Sequence, residues 1–327
     1  MADKPPTVLA TAPLRGEGLD RLRAIADVVL DPWIDHTRLK LHGEDELATR
    51  IADEGATILI VEADSCKGAV LEQPLVAIAS TRGDPTNVDL SAATAAGIPV
   101  LFAPGRNADA VAELTIALMF AASRFVVAAD RDVRAGEMFK DGRIPYQRFR
   151  GWELNGRTLG LVGLGAIGRA VKWRAEGLGM RVIAHDPYAD DATHGLDELA
   201  AEADVVSLHA PMTPATEGMF GANQFAAMKP GSVFVNAARA GLHDEDALVA
   251  ALADGRPAAA ALDHFANEYL DPSHPLCAMD SVVLTPHIGG ATWDTEVNQT
   301  TMIVDDLERL LAGERPERVA NPEVFDQ

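Results

Sequence analysis

Cysteine and long apolar runs are scarce in this sequence of 327 residues. The two cysteines, Cys66 and Cys277, lie far apart and form no CxxC pattern, so we expect neither a disulfide framework nor a thiolate metal site. The most apolar stretch, 114–123, lies between Glu113 and Arg124 and is shorter than the roughly 20 residues that cross a bilayer. We therefore expect it to be a buried helix.

Positive charge and signal-peptide features are also in short supply. Residues 1–13 lack the basic start and the apolar core of a signal peptide, and together with the cysteine usage this favours a cytoplasmic protein. The chain has 28 basic residues against 49 acidic ones, a formal net charge of −21. Such a field repels phosphate backbones and anionic headgroups. We expect a small-molecule partner, and neither nucleic acid nor a membrane.

The chain does contain a repeated alternation of short β-branched runs with helical stretches, the pattern of parallel α/β sheets. The predicted strands of the first part are 7–10, 28–30, 57–61, 76–79 and 99–102. The predicted helices of the first part are 19–26, 44–53 and 89–96. A chain of this length, 48% hydrophobic and 24% charged, is expected to form about two globular domains.

The alternation begins again after the turn signal Asn155-Gly156. The predicted strands of this second part are 158–162, 181–185, 204–208, 232–236, 259–263 and 281–284. The predicted helices are 167–178, 196–203 and 244–253. An apolar helix at 107–124 and an arm to residue 152 come before it, and an amphipathic helix at 292–312 follows it. The pattern predicts a doubly wound nucleotide-binding domain.

The segment GLGAIG at 163–168 follows an apolar strand and opens a helix, the context that a dinucleotide-binding motif requires. Gly163 permits the tight turn, Gly165 lets backbone N–H groups approach a pyrophosphate, and Gly168 lets the helix pack close to the strand. At the end of the next strand, Asp186 is placed to bind a ribose diol and to repel a 2′-phosphate. The motif predicts NAD as the cofactor. The nearby Arg169 and Arg181 leave NADP as an alternative.

Three further segments follow strands of the second part, at the edge where open α/β sheets bind ligands: 236–239, 263–268 and 285–290. Reduction of a 2-keto acid needs a cation that holds the carboxylate, a proton donor, and a carboxylate that orients this donor. Arg239, His287 and Glu268 supply one such group each. The segments therefore predict a hydride-transfer site for a small 2-hydroxy or 2-keto acid.

These segments resemble the D-isomer-specific 2-hydroxyacid dehydrogenase family, as do NADAVAE at 107–113, HAPMT at 209–213 and MKPG at 228–231. The resemblance implies that Arg239 binds the substrate, that Glu268 is the partner of the acid/base His287, and that Asp263 meets the nicotinamide carboxamide. It implies a flavodoxin-like α/β substrate domain, 1–106 with 293–327, and a doubly wound Rossmann NAD-binding domain, 107–292. It also implies an active site in the cleft between them and a homodimer formed through the helix and arm 107–152.

The motifs and the resemblance together predict a full set of site residues. The cofactor-binding residues are Gly163, Gly165, Ala166, Ile167, Gly168, Asp186, His209, Ala210, Pro211, Thr216, Ala237, Asp263, His287 and Gly289. The substrate-binding residues are Ala63, Asp64, Arg82, Gly83, Asp84 and Arg239. No group of side chains has metal-ligand spacing such as HExxH, so we predict no metal.

The sequence also departs from the family. Glu62 and Asp64 stand where relatives carry an Arg-Ser type segment, and Asp84-Pro85 adds a negative charge to the second substrate loop. We therefore expect phosphorylated acids to be poor substrates. His264 occupies a position where relatives usually have an aliphatic residue. His36, His42, His194, His243 and His274 lie in polar surroundings and are expected to be exposed.

Two other functions remain open at the level of sequence. Some members of the superfamily act as NADH-dependent corepressors and keep much the same triad, so a nucleotide-sensing binding protein is the alternative from another class. Formate dehydrogenase has a similar fold but normally pairs its histidine with glutamine. Glu268 argues against this last alternative.

Overall fold

The computed structural model describes residues 5–326. Residues 1–4 and 327, which belong to the predicted N-terminal stretch and the predicted domain ends, lie outside the described residues. The chain divides into two compact units. Unit 1 runs to Arg106 and resumes at Thr292, and unit 2 is Asn107–Ala291.

Each unit is built on one parallel sheet. The strands are β1 (Thr7–Ala10), β2 (Asp27–Leu30), β3 (Ile58–Val61), β4 (Ala77–Ser80), β5 (Val100–Phe102), β6 (Thr158–Val162), β7 (Arg181–His185), β8 (Val205–Leu208), β9 (Val233–Asn236), β10 (Ala259–Leu262) and β11 (Val282–Leu284). Unit 1 has the order β2-β1-β3-β4-β5, and unit 2 has β11-β10-β9-β8-β6-β7. The predicted α/β fold class is confirmed.

The helices alternate with these strands. They are α1 (Glu17–Ile25), α2 (Glu44–Glu54), α3 (Leu90–Ala95), α4 (Ala108–Ser123), α5 (Val126–Arg134), α6 (Pro145–Arg148), α7 (Ala166–Gly177), α8 (Leu196–Glu202), α9 (Ala222–Ala227), α10 (Glu245–Ala253) and α11 (Trp293–Leu311). Most lie within two residues of their predicted positions. Three helices were not predicted. Helices α5 and α6 lie in the segment that was interpreted as an arm, and the six residues of α9 are too few to display a helical period.

The sheet of unit 2 is covered on both faces, so its strands read as continuous apolar runs. Along β9, Val233 and Val235 pack into one core and Phe234 into the other. With both faces occupied, the strand ends are the part of the sheet left to carry a site. The strand order reverses between β6 and β8, which lie side by side, and ligands of open α/β sheets bind at such a reversal.

Unit 1 is closed by the last helix. On α11, Ile303 and Leu307 share a core with Val8 of β1 and Leu22 of α1. At the edge of this contact, Arg21 donates to Asp305 at 2.8 Å. Helix α11 therefore belongs to unit 1, together with the segment that ends at Arg106.

Unit 2 begins with the apolar helix α4. Among the described residues, no single helix is long and apolar enough to cross a membrane. Helices α4 and α5 taken together have the length and apolar composition of a membrane span, but the chain bends by 65° between them.

Candidate functional site

The glycine turn between β6 and α7 has the shape that its sequence predicts. A Cβ atom on Gly163, whose φ is +103°, would lie 2.7 Å from the carbonyl carbon of His209, and one on Gly168 would lie 2.1 Å from the carbonyl oxygen of Gly163. Both positions therefore require glycine. A Cβ on Gly165 would meet nothing within 4 Å. The start of α7 thus faces open space, a cradle that fits a pyrophosphate.

Asp186 is tied to this turn. One carboxylate oxygen accepts from the backbone N–H of Leu164 at 2.7 Å, and the other accepts from that of Tyr188 at 2.8 Å. The residue is only half-buried, and each oxygen keeps a lone pair for a further donor such as a ribose hydroxyl. The structure therefore holds a carboxylate beside the cradle.

Arg169 and Arg181, the two arginines for which NADP remained an alternative cofactor, are both paired with carboxylates. Arg169 makes a two-pronged pair with Asp191 at 2.9 and 3.0 Å, which lowers the pKa of Asp191 to about 2. Arg181 donates to Glu202, and this ion pair holds the pKa of Glu202 below its usual value. Either arginine would have to exchange a carboxylate partner to bind a 2′-phosphate.

The segment after β8 forms the opposite wall of the turn. His209 is buried, its Nε2 lies 2.9 Å from the hydroxyl of Ser207, and burial lowers its pKa to about 4. Its backbone, not its ring, lies against Gly163. Thr216 donates to the carbonyl of Pro211 at 2.6 Å and so fixes the loop. His209 thus presents its backbone to the glycine turn.

Arg239 lies just beyond β9 on a corner that Asn236 holds. The amide nitrogen of Asn236 donates to the carbonyl of Arg239 at 2.8 Å and to Nδ1 of His243 at 2.9 Å, and its oxygen accepts from the N–H of Ala238. Arg239 is exposed, and within residues 5–326 no carboxylate pairs with it. The cation is therefore available to a ligand. His243, expected to be exposed, is buried at the base of this corner, as His42 is buried in unit 1.

The structure brings Glu268 and His287 together from the ends of β10 and β11. Glu268 Oε1 lies 2.9 Å from His287 Nδ1, and both side chains are exposed. With Nδ1 facing the carboxylate, Nε2 remains for proton exchange with a ligand. Asn267, Glu268 and His287 all have φ near +54°, a left-handed conformation that is rare outside glycine. Strained backbone of this kind is often retained where it aims a functional side chain.

Asp263 fixes the loop that follows β11. It is fully buried, and its oxygens accept from the hydroxyl of Thr285 at 2.6 Å, from the N–H of Ile288 at 2.9 Å and from the N–H of Gly289 at 2.8 Å. These bonds hold the loop that carries His287. That Asp263 meets the nicotinamide carboxamide stays a prediction, since three donors leave the carboxylate one further acceptor site.

A second histidine lies beside the pair. His264 is buried, and its ring centroid is 3.8 Å from that of His287. Burial, and the charges of His287 and Arg239, lower the pKa of His264 to about 4. His264, Glu268 and His287 each offer a ligand atom, and these atoms lie within 4.8 Å of one another. The prediction of no metal rested on spacing along the sequence, which does not detect a group assembled from two loops.

On unit 1, the predicted substrate-binding residues differ in exposure. Arg82 and Ala63 are partly exposed, and Gly83 and Asp84 are exposed. Asp64 is buried and accepts from the hydroxyl of Thr11 at 2.6 Å and from the N–H of His42 at 2.7 Å. Both of its oxygens hold loops of unit 1 together, and its contact with substrate stays a prediction.

Glu62 is also engaged within unit 1. Its carboxylate pairs with Arg106 and accepts from the indole N–H of Trp33 at 3.1 Å. Of the three acidic residues that set this sequence apart, Asp84 alone is exposed. Glu62 acts instead by neutralising a nearby arginine.

Comparison with known proteins relates the chain to one family. The family model described as D-isomer specific 2-hydroxyacid dehydrogenase, NAD binding domain, matches residues 116–289. D-3-phosphoglycerate dehydrogenase of Methanocaldococcus jannaschii is 35% identical over 96% of this chain, and the chain spans 59% of that relative's length. Glycerate dehydrogenase of Methylorubrum extorquens is 34% identical over 84% of this chain and 88% of its own.

A solved structure extends this likeness to the fold. The TT0316 protein of Thermus thermophilus is 37% identical, with a TM-score of 0.82 over 96% of this chain and 99% of its own.

Proposed function

Because the chain belongs to the D-isomer specific 2-hydroxyacid dehydrogenase family, we propose that it transfers a hydride between NAD(H) and C2 of a small 2-hydroxy or 2-keto acid. The observation that carries this proposal is the contact between Glu268 and His287, together with the exposed Arg239, at the carboxyl ends of β9 to β11. This arrangement contains the cation, the acid/base and the orienting carboxylate that the reaction needs.

The family's NAD-binding domain accounts for the cofactor. We propose that the N–H groups at the start of α7 hold its pyrophosphate over Gly165, and that Asp186 accepts from the ribose diol. When bound, the nicotinamide supplies or accepts the hydride.

The side chains then deal with the charge and the proton. Arg239 holds the carboxylate of the acid through its planar fork. Protonated His287 donates from Nε2 to the oxygen that becomes negative during reduction, and Glu268 stabilises the imidazolium through Nδ1. Oxidation uses neutral His287 as the base. Reduction is therefore favoured by lower pH and oxidation by higher pH.

A panel of 2-keto acids tests this function. NADH oxidation by the pure protein is followed with glyoxylate, hydroxypyruvate, pyruvate and phosphohydroxypyruvate. We expect turnover with at least one acid and the lowest kcat/KM with phosphohydroxypyruvate, because Asp84 is exposed and Arg106 is engaged by Glu62. Efficient turnover of the phosphorylated acid would contradict the substrate class. NADH binding without turnover of any acid would favour a nucleotide-sensing protein instead.

We expect NADH to be preferred over NADPH by at least roughly tenfold in kcat/KM, which a repulsion of only about 1.4 kcal/mol produces. The carboxylate of Asp186 repels a 2′-phosphate, and Arg169 and Arg181 are paired elsewhere. Asp186→Asn should reduce the ratio of kcat/KM with NADH to kcat/KM with NADPH. Asp190→Asn, which alters an exposed acidic residue nearby, should leave this ratio unchanged. Equal or better use of NADPH by the unaltered protein would show that Asp186 does not select the cofactor.

We also propose a homodimer formed through the helix and arm 107–152. The support is a concentration of exposed apolar side chains within 120–146: Phe120, Val126, Val127, Val133, Met138, Phe139, Ile144 and Tyr146. Exposed apolar surface on this scale is typical of a protein interface.

Light scattering after size exclusion should give twice the chain mass of 34.7 kDa. Val133→Glu combined with Phe139→Glu should give the mass of one chain, because both substitutions put a charge into the proposed interface. Tyr188→Glu, at an exposed aromatic residue outside the arm, is the matched control and should leave the mass doubled. A single-chain mass for the unaltered protein would contradict the dimer.

A further inference from the structure

The geometry points to a reversible binding site for a divalent transition metal, with Zn²⁺ as the best fit, formed by His264, Glu268 and His287. Two imidazoles and one carboxylate are a ligand set that Zn²⁺ takes in proteins, with a fourth position left open. Metal binding here does not depend on the proposed reaction. The inhibition argued below does rest on the proposed function.

The distances are close to those that a metal requires. Ligands at 2.0–2.2 Å in a tetrahedron lie about 3.4 Å apart. His287 Nδ1 and Glu268 Oε1 are 2.9 Å apart, and all three ligand atoms lie within 4.8 Å of one another. Closing the site therefore needs movements of about 1 Å. The side chains of Glu268 and His287 are 61% and 45% exposed, so both have room to make them.

His264 supplies the third ligand beside Glu268 and His287. It is only 6% exposed, yet within residues 5–326 its ring makes no hydrogen bond and contacts the ring of His287 instead. Because the ring nitrogens of His264 have no other hydrogen-bond partner among the described residues, one of them is free to coordinate a cation. The buried position also limits its rotation, which lowers the entropy lost when a metal binds.

Charge near the site does not prevent occupancy. Arg239 acts on His264 as a positive charge, and Glu268 and the buried Asp263 act on it as negative ones. A bound Zn²⁺ would thus have two carboxylates and one guanidinium as its charged neighbours, on a chain with a net charge of −21. These surroundings favour a dication on balance.

Zn²⁺ and a proton compete for the same atoms. When the metal binds Nδ1 of His287, the proton between this nitrogen and Glu268 must leave it: a neutral imidazole carries the proton on Nε2 instead, and an imidazolium releases it to solvent. Nδ1 and the carboxylate oxygen then both become ligands. His287 then cannot be charged and oriented by Glu268 as a proton donor. Under the proposed function, Zn²⁺ should inhibit both directions of the reaction, and a chelator should restore activity.

Binding can be measured without any substrate, by titrating Co²⁺ into tag-free protein and recording its visible absorption. We expect one strongly absorbing Co²⁺ per chain, displaced by Zn²⁺. His264→Leu should weaken Co²⁺ binding at least roughly tenfold, because one of three ligands is lost. Glu268→Gln, at an exposed side chain, should weaken it similarly and provides a second variant if His264→Leu folds poorly.

The control is His194→Leu, which alters the other described group of potential ligands, His194, Glu198 and Glu202. His194→Leu should bind Co²⁺ as the unaltered protein does. Binding that is lost in His194→Leu and kept in His264→Leu would overturn the proposal, as would the absence of tight Co²⁺ or Zn²⁺ binding in the unaltered protein.

Inhibition of turnover by Zn²⁺ is a second measurement, and a negative result in it has a different meaning from a negative result in the binding titration. Each variant is compared with its own metal-free rate, using the best acid of the panel. His264→Leu should raise the Zn²⁺ concentration for half inhibition at least roughly tenfold, in line with its weaker binding. If Co²⁺ binds as expected but Zn²⁺ leaves turnover unchanged, the metal site stands and the catalytic role of His287 is wrong.

Discussion

Replacing His287 with alanine should lower turnover by on the order of 10²–10⁴ while leaving NADH binding intact. The negative charge that reduction creates on the substrate oxygen must be met by a proton, and His287 is the exposed base that Glu268 holds at 2.9 Å. The proposed cofactor contacts, the Gly165 turn and Asp186, do not involve the imidazole. NADH titration by fluorescence and steady-state reduction of the best acid, on the same preparation, measure the two quantities separately.

The matched control is His194→Ala, which removes a partly exposed histidine paired with Glu202. It should keep both NADH affinity and turnover. Glu268→Gln should fall between His287→Ala and the unaltered protein, because an amide still accepts from Nδ1 but carries no charge to stabilise the imidazolium. A His287→Ala protein that binds NADH normally and reduces the acid at the unaltered rate would refute the mechanism.

Replacing Arg239 with lysine should lower kcat/KM about 100-fold although the charge is kept. An ammonium is a point charge and cannot make the two parallel hydrogen bonds of a guanidinium to a carboxylate. One lost hydrogen bond to a charged group corresponds to about 1.5–3 kcal/mol, or roughly 10- to 150-fold.

Steady-state kinetics with the best acid measure this effect. Arg157→Lys, at an exposed arginine elsewhere in unit 2, is the control and should retain kcat/KM. Unchanged kinetics in Arg239→Lys would mean that the carboxylate is held by another group. Arg82, a partly exposed arginine among the predicted substrate-binding residues, would be the next residue to test.

The fold could be predicted largely from local sequence. Strands buried on both faces, such as Thr158–Val162, are continuous apolar runs, and the glycine turn after them needs residues without a side chain. The ends of these strands also indicated Arg239, Glu268 and His287 as candidates, because parallel strands deliver their ends to one edge.

Partners that are distant in sequence could not be predicted in this way. In the sequence, Asp64 is an acidic residue of a loop after a predicted strand. Only the folded chain shows its hydrogen bonds to Thr11 and His42. Asp263 likewise serves donors more than 20 residues away. His264 contacts His287 from another strand end, so the ligand group is invisible to any spacing rule along the chain. In each case the role of a polar side chain depends on tertiary contacts that set its burial.

The position of the last helix has a consequence for how the chain is made. The pairs Arg15–Glu296 and Arg21–Asp305 join residues 281 and 284 positions apart, and Ile303 and Leu307 complete the core that holds Leu22. On a ribosome, the continuous segment Asn107–Ala291 emerges in full before α11 does. Domains fold as units during synthesis, so unit 2 can reach its native structure while the earlier-made residues still expose an apolar face. The N-terminal segment must therefore wait for the C-terminal helix, and that interval is when the nascent chain most needs protection by a chaperone.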